Sequence, residues 1–524
     1  MKPHVNRREF MNLLGATFGT GALIQLGSAL SLLPVSATAS TLALIPPPSG
    51  KGKVLILGAG VSGLTTALEL TKAGYDCTIL ESSNRAGGRI FTVRSGDVID
   101  EIGNRQVCEW DNEPHMYFNA GAARIPSTHR NLLRYCKELG VELEMFINES
   151  KTAYVQDDNM LSGARIRNGE LSTNVRGFIA EMFAKCYGSA QLDEPFTETE
   201  SEIILGMVRQ FGDLDRTDMR FKGSSRAGYA SGGFLAPGVH KEMIAFKKLM
   251  QSRLAGVGLD ANEGETGPML MQPVGGMDMI IKGFTRVLGD QVIYQAMVTG
   301  VQVRDDGVDV AFDCNGKRET IAADYCFNSI PSHLMTGIPN NFPAEYLKSM
   351  CSIQRGEAYK SAFQAKSRFW EEEDIYGGIS WINAPIQQIW YPSHGIHKEK
   401  GIVLAAYNFG GGMQFTKMTQ QERVEAALSQ GEKLHPNYRD VVEKPITIAW
   451  HRMNHMLGCS ARWGSWTPEV QTRFNILQQP VNGRHYFIGD QVSYHGAWQE
   501  SAILSAHWAL EDMDQRVRRM AAQV

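Results

Sequence analysis

Several features are scarce or missing in this chain of 524 residues, and each absence excludes something. Among eight cysteines (Cys77, Cys108, Cys136, Cys186, Cys314, Cys326, Cys351 and Cys459) no two are spaced Cys-x-x-Cys, and none stand at zinc-ligand spacing. That argues against a dithiol redox motif and a structural metal, so they are read as small buried residues with no disulfide pairing assigned. Charge is nearly balanced: 52 Lys and Arg against 56 Asp and Glu give a net −4, which offers no argument for nucleic-acid binding. Beyond the N-terminal segment, no apolar run is long enough to span a bilayer. No internal repeat is evident. The length exceeds one ordinary domain and points to two or three interwoven ones.

The N-terminal segment itself lacks charge. After Arg7-Arg8-Glu9 no ionisable side chain follows until Lys51. Leu13 to Leu33 is only moderately apolar and is broken by Gly15, Gly19, Gly21 and Gly27. Ala37-Thr38-Ala39 offers small residues for cleavage. This pattern is that of a twin-arginine export signal over residues 1–39, which implies a periplasmic or secreted protein with no stable membrane insertion after processing. Pro46-Pro47-Pro48 marks a linker over 40–50.

A dinucleotide unit follows. Lys53 to Leu57 is a short, continuously apolar run, the signature of a strand buried on both faces. Gly58-Ala59-Gly60-Val61-Ser62-Gly63 comes next, then a helical stretch from Leu64 to Ala73. In such a loop the first glycine permits a tight turn, the second lets backbone approach a pyrophosphate, and the third lets helix and strand pack closely. The helix start offers unpaired N–H groups and a positive dipole end to phosphate. A second strand, Asp76 to Leu80, ends in Glu81, where a ribose-binding acid belongs. GxGxxG alone is weak evidence; strand, loop, helix, strand and acid in order are strong.

Downstream, Asn119-Ala120-Gly121-Ala122-Ala123-Arg124-Ile125-Pro126 holds an arginine in a small-residue turn. Guanidinium pairs bidentately with carboxylate, so the arginine suggests a substrate that carries one. From Ser127 to about Gly264 several helical patterns appear, including Arg130–Leu139, Val175–Tyr187 and Glu200–Phe211. Met279–Leu288 is a further helix. Strands are expected over Val292–Val303, Val308–Asp313, Tyr325–Pro331, Ala362–Lys366, Val403–Tyr407 and Tyr486–Asp490, with a final helix over Ser501–Met513.

After Glu81 the chain reads Arg85-Ala86-Gly87-Gly88-Arg89. This extension resembles the flavin amine oxidase family, and the Asn-x-Gly-x-x-Arg-x-Pro turn followed by His129-Arg130 is similar to that of its L-amino acid oxidases. The resemblance implies an α/β protein: a Rossmann-like FAD-binding domain of glutathione-reductase type, a mixed-sheet substrate domain and a helical insertion. The implied boundaries are 51–106, 265–345 and 475–524 for the FAD-binding domain, 107–160 and 346–474 for the substrate domain, and 161–264 for the helical part. Noncovalent FAD would be held by Gly58, Ala59, Gly60, Val61, Ser62, Gly63, Glu81, Arg85, Ala86, Gly87, Gly88, Arg89, Ala122, Ala123, Arg124, Val298, Gly489, Asp490, Ala497 and Trp498.

The same resemblance implies individual roles. Arg124 would hold the substrate carboxylate, with the Tyr391 hydroxyl beside it, in a register against Trp390 open by one residue. Lys360 would meet the flavin through a water. Ala497 and Trp498 would wall the substrate, Trp498 lying over the flavin ring. Where the family reads Glu-Gly-Ala, this chain has Glu500-Ser501-Ala502, which puts the backbone approach there in question. Cys459 stands where monoamine oxidases bond the flavin, but Ser460 replaces the tyrosine that follows, and an unlinked thiol is the favoured reading. His115, His240 and His495 are read as structural or peripheral. Asp213, Asp215 and Glu200 could meet a basic substrate, but a solvated face is the commoner role. The implied activity is oxidation of an L-amino acid by oxygen, in a homo-oligomer, expected to be a dimer. Its rivals are a monoamine or polyamine oxidase, a tryptophan 2-monooxygenase-like enzyme and a non-catalytic FAD-binding module.

Overall fold

The computed structural model describes residues 42–47, 52–187, 196–259, 267 and 269–522. The export signal expected over 1–39 lies outside the described residues. Two sheets organise the rest. The first has five parallel strands in the order Val292–Ile293, Asp76–Leu80, Lys53–Leu57, Tyr325–Asn328, His485–Phe487. Its central strand runs Lys53–Leu57 with every residue after Lys53 buried, as a strand covered on both faces must be. The helices Val61–Lys72, Asp278–Leu288 and Gln499–Ala521 share one apolar core on this sheet. Ala502, Ile503, Ala506, Ala509, Leu510, Met513 and Val517 form the buried stripe of the last, at helical spacing. On the other face an antiparallel meander (Met297–Val303, Val308–Cys314, Lys317–Ala323) joins a second core.

The second sheet has seven strands in mixed orientation. Their order is Ile166–Arg167, Tyr154–Gln156, Gly378–Ile382, Gln388–Tyr391, Gly401–Phe409, Ala358–Ala365, Val442–Ala449. Apolar cores lie on both of its faces. Register shifts interrupt the pairing of Ala358–Ala365 with both neighbours. Helices absent from the sequence expectations, notably Gln420–Gly431 with a Thr419/Glu422 capping box, cover the outer face.

The helical insertion contains Asn168–Tyr187 and Glu198–Gly212, the first beginning seven residues earlier than its periodicity suggests. It also carries a short hairpin, Tyr229–Ser231 with Val239–His240, that the glycine-rich sequence does not announce. The linker expected over 40–50 is docked where it is described. Ile45 donates its N–H to Asp514 at 2.8 Å, and Leu42, Leu44 and Ile45 pack against the first core, because three apolar side chains in six residues favour burial over a free tether. Among the described residues no helix is long and apolar enough to cross a membrane.

Candidate active site

One cavity of about 990 Å³ runs between the two sheets. At one end lie Gly58, Gly60, Val61, Ser62 and Glu81; at the other, Arg124, Lys360, Trp390 and Tyr407. The first end is built for a dinucleotide. Gly58 has φ +97°, the turn that carries chain from strand to helix. A Cβ on Gly63 would meet the Gly58 carbonyl oxygen at 2.1 Å, so this glycine permits the helix to sit against the strand. A Cβ on Gly60 would meet nothing within 4 Å, leaving open space in front of an uncapped helix start. That combination fits a pyrophosphate.

Glu81 lines the same end, buried, and is already committed on both oxygens. One accepts the Ala59 N–H at 2.8 Å, the other the Ser83 N–H at 2.9 Å and hydroxyl at 2.8 Å. A carboxylate has about four acceptor sites, so capacity remains for a ribose hydroxyl. Gly87, Gly88 and Arg89 also face the cavity. Arg85 and Ala86 do not, which corrects their expected cofactor contact. The Arg85 guanidinium turns back to donate to the Gly88 carbonyl at 2.9 Å and stacks over Phe91 at 4.1 Å, so it braces the loop from within. Ala59 and Gly63 act in the same indirect way, through backbone and packing.

Arg89 and Asp490 form the charged hinge of the cavity. Arg89 Nη1 donates to Asp490 at 2.9 Å and to the Cys459 carbonyl at 3.1 Å. Burial pushes the Asp490 carboxyl up, but the Arg89 charge prevails and holds it down at about 2. Asp490 also accepts the Ala497 N–H at 3.0 Å, holding Ala497 at φ +76°, a conformation rare for alanine. Gly489, Ala497, Trp498 and Val298 all line the cavity. Trp498 meets the His129 ring edge-on at 5.0 Å. Ser501, the departure from the family pattern, lies outside the lining: its hydroxyl donates to the His495 carbonyl at 2.5 Å, so its side chain does not obstruct the cavity. Glu500 instead accepts the N–H groups of Asn131 (3.0 Å) and Leu132 (2.8 Å), capping the helix Arg130–Glu138 from a distant part of the chain.

The far end centres on Arg124. Its turn is fixed on several sides. A Cβ on Gly121 would sit 1.7 Å from the Arg89 carbonyl oxygen, so only glycine allows this approach. Trp450 Nε1 donates to the Ala120 carbonyl at 3.1 Å. Lys360 Nζ donates to the carbonyls of Asn119 (3.0 Å) and Gly121 (2.7 Å). Ala122 and Ala123 complete the lining. The Arg124 guanidinium lies 5.0 Å from the Trp390 ring centroid and donates to Asn148 Oδ1. Among the described residues no carboxylate pairs with it. Burial pulls its pKa down, the nearby Tyr407 hydroxyl opposes this, and no acid contributes.

Lys360 is buried, and with no acid beside it desolvation lowers its pKa to about 7. Two of its three N–H bonds go to the turn, which leaves one for the cavity. Tyr391 does not reach the cavity, against expectation. Its hydroxyl bonds Ser380 at 2.8 Å and His435 Nε2 at 2.6 Å on the opposite face of the sheet. Side chains alternate along a strand, so the cavity receives Gln388 and Trp390 while Ile389 and Tyr391 face the other core.

The residue sequence reasoning missed is Tyr407. Its ring lies 4.7 Å from Lys360 Nζ, and its hydroxyl, pushed up to about 12 by burial and held back by Arg124, faces the same space. Ile402 and Leu404 point to the cavity side, so simple alternation would turn Tyr407 away. The pairing of Ala362 with Leu404 and Ser361 with Ala406 leaves Ala405 as an extra residue, and this bulge re-aims Tyr407. Asn148, His333 and His455 also line the cavity unforeseen, whereas His115, His240, His495, Glu200, Asp213 and Asp215 do not. Burial takes His333 down to about 4, and Arg355 Nε donates to its Nδ1 at 3.0 Å. Burial raises the Cys459 thiol that lines the cavity, which disfavours a thiolate.

A dinucleotide cradle continuous with a cation-bearing aromatic pocket defines a redox enzyme that places a small substrate beside its cofactor. The chain belongs to the family of flavin-containing amine oxidoreductases, whose sequence model matches residues 61–509, and the cofactor this implies is a flavin. It is similar to the flavin-dependent L-tryptophan oxidase RebO of Lentzea aerocolonigenes, at 25% identity over 87% of this chain and 97% of the relative. It is equally similar to the L-amino-acid oxidase of Echis ocellatus, at 25% identity over 88% and 89%. In fold it matches a putrescine oxidase double mutant with a TM-score of 0.59 at 18% identity, over 88% of this chain and 99% of that one. The cyclohexylamine oxidase of Brevibacterium oxydans gives 0.57 at 16%, over 90% and 100%.

Proposed function

We propose that the protein is an FAD-dependent L-amino acid oxidase that converts an L-amino acid, water and oxygen into a 2-oxo acid, ammonium and hydrogen peroxide. The observation that carries this reading is the Arg124 guanidinium, seated on Trp390 with an amide oxygen as partner and no protein carboxylate in contact among the described residues. A buried cation without a counter-ion is costly, and a substrate carboxylate supplies one. Relatives named for L-amino acids point the same way.

Arg124 would grip the carboxylate and Tyr407 would donate to it, fixing the substrate's Cα in the cavity. A flavin, noncovalent in this reading, would accept two electrons from the substrate's Cα–N bond and pass them to oxygen, which is reduced to hydrogen peroxide. Arg124 and Lys360 disfavour a third positive charge between them, which biases the substrate toward its neutral amine. Lys360, with its pKa near 7, exchanges a proton at Nζ around neutral pH. The aromatic walls Trp390, Tyr407 and Trp498 exclude bulk water. Export through the twin-arginine route, which carries folded proteins, suits an enzyme that loads its cofactor before transport.

The reading is tested by assaying peroxide and ammonium across the twenty amino acids and their decarboxylated amines. Equal release of both from L-amino acids supports it. Turnover confined to amines favours an amine oxidase, and an amide product favours tryptophan 2-monooxygenase-like chemistry. No turnover of either set would leave a flavin-binding module.

A further inference from the structure

Arg124 has one hydrogen-bond partner among the described residues, and that partner is neutral. Its Nη1 donates to Asn148 Oδ1. A guanidinium only donates, so the amide must turn its oxygen toward the arginine. Asn148 is buried, at 9% exposure, and lines the cavity. Acids stand close to it in the chain but are kept away. Glu144, four residues earlier, accepts Gln272 Nε2 at 2.9 Å, and Glu149, the next residue, is exposed. Neither lines the cavity. Among the described residues the acids that do are Glu81, at the cofactor end, and Asp490, bonded to Arg89.

The segment that presents this amide is clamped. Ile147 donates its N–H to Ser393 Oγ at 2.8 Å and accepts the Gly378 N–H at 3.1 Å. A Cβ on Gly378 would meet Ser150 Cβ at 2.5 Å, so the strand Gly378–Ile382 begins at a distance that only glycine allows. Phe146, two residues before the amide, packs edge-on at 5.9 Å against the Trp390 ring that carries Arg124. Trp390 supports the face of the guanidinium, Asn148 fixes one of its N–H groups, and neither cancels its charge. A carboxylate at position 148 would pair with this buried cation and satisfy it without substrate. The neutral amide orients the fork and leaves the charge to be met by whatever enters the cavity.

We infer that Asn148 is a positioning residue that sets substrate class: it aims the Arg124 fork without neutralising it, and an acid in its place would turn the enzyme from L-amino acids toward amines. The inference rests on the L-amino acid oxidase reading above. Wild type, Asn148→Asp and Asn148→Ala, each purified with flavin, are compared on three molecules that share one side chain. These are the L-amino acid that wild type oxidises fastest, the amine left when its carboxylate is removed, and the acid with hydrogen in place of the amino group. Peroxide release gives kcat and KM for the first two. Perturbation of the flavin spectrum gives Kd for the third, which has no amine to oxidise. Asn148→Asp should raise KM for the amino acid and Kd for the acid roughly a hundredfold, hold kcat within about threefold, and leave KM for the amine unchanged or lower. Asn148→Ala loosens the fork but keeps its charge free, and should raise the same two constants by roughly tenfold or less. A residue with a merely structural role would weaken amino acid and amine alike. An Asn148→Asp protein that keeps the wild-type Kd for the acid, or an equal loss in Asn148→Ala, overturns the inference and leaves the L-amino acid reading standing. If Asn148→Asp does not retain flavin, Asn148→Ala decides alone, a loss within tenfold supporting the inference and a larger one overturning it. A wild type that oxidises no L-amino acid overturns both.

Discussion

The Arg124 guanidinium rests 5.0 Å from the Trp390 ring centroid, and the Trp390 indole N–H donates in turn to Gln388 Oε1 at 2.6 Å. The ring is therefore oriented from behind, and the cation it carries is presented as a plane. A planar fork stacked on an aromatic face is something lysine cannot reproduce. Arg124→Lys should keep the charge yet lose the bidentate grip, raising KM for an L-amino acid by roughly tenfold or more, at about 1.4 kcal/mol per decade. Steady-state kinetics with an unchanged KM would detach this pair from substrate binding.

Two tyrosines on the large sheet should separate cleanly. Tyr407→Phe removes a hydroxyl facing Arg124 in the cavity, and a lost hydrogen bond to a charged group, about 1.5–3 kcal/mol, should lower kcat/KM by roughly 10- to 100-fold. Tyr391→Phe removes the hydroxyl's bonds to Ser380 and to His435 Nε2 in the outer core, while Ser380 keeps the Tyr154 N–H and His435 keeps Glu373, and should cost about 1–3 kcal/mol of stability with little change in kcat/KM. The opposite pattern, read by kinetics and thermal melts of both variants, would restore Tyr391 to the site.

Lys360 connects pH to activity. Desolvation sets its folded pKa at about 7 against an ordinary 10.5. Between those values the unfolded chain binds the extra proton, so this residue makes stability rise with pH from about 7 to 10.5 and imposes its full penalty below 7. An inflection near pH 7 in kcat/KM should be present in wild type and absent in Lys360→Met. That variant should also flatten the slope of unfolding free energy across the same window. A profile that Lys360→Met leaves untouched assigns the inflection elsewhere.

Gly60 and Gly63 lie three residues apart and should fail differently. A side chain at Gly60 enters open space before the helix start, so Gly60→Val should fold but purify with little flavin. A Cβ at Gly63 collides with the Gly58 carbonyl, so even Gly63→Ala should destabilise the protein itself, by about 1–3 kcal/mol for an overpacked contact. Flavin absorbance and melting temperature measured together distinguish the two. A yellow, fully loaded Gly60→Val protein would contradict the placement of the pyrophosphate.

The cofactor end was legible in the sequence because its signals are local. A strand, a glycine loop and an acid lie within one short stretch, and each element is fixed by its neighbours in the chain. The Arg124 turn was legible for the same reason. The substrate sheet was not, because the face a side chain takes depends on pairing between distant strands. One residue of register separates Trp390 from Tyr391, and one bulged residue, Ala405, reverses the phase that would otherwise hide Tyr407. Arg85 was misjudged from its motif because nothing in the sequence shows that its guanidinium folds back onto the carbonyls of its own loop.

The central claim is that Arg124 selects a carboxylate, and the most direct measurement is anaerobic reduction of the flavin by matched pairs. Wild type and Arg124→Ala are each mixed with an L-amino acid and with the amine left when its carboxylate is removed. Wild type should bleach with the amino acid far faster than with the amine, and Arg124→Ala should lose roughly a hundredfold or more toward the amino acid while changing little toward the amine. Equal bleaching of wild type by both members of a pair, or a variant as fast as wild type with the amino acid, would contradict it.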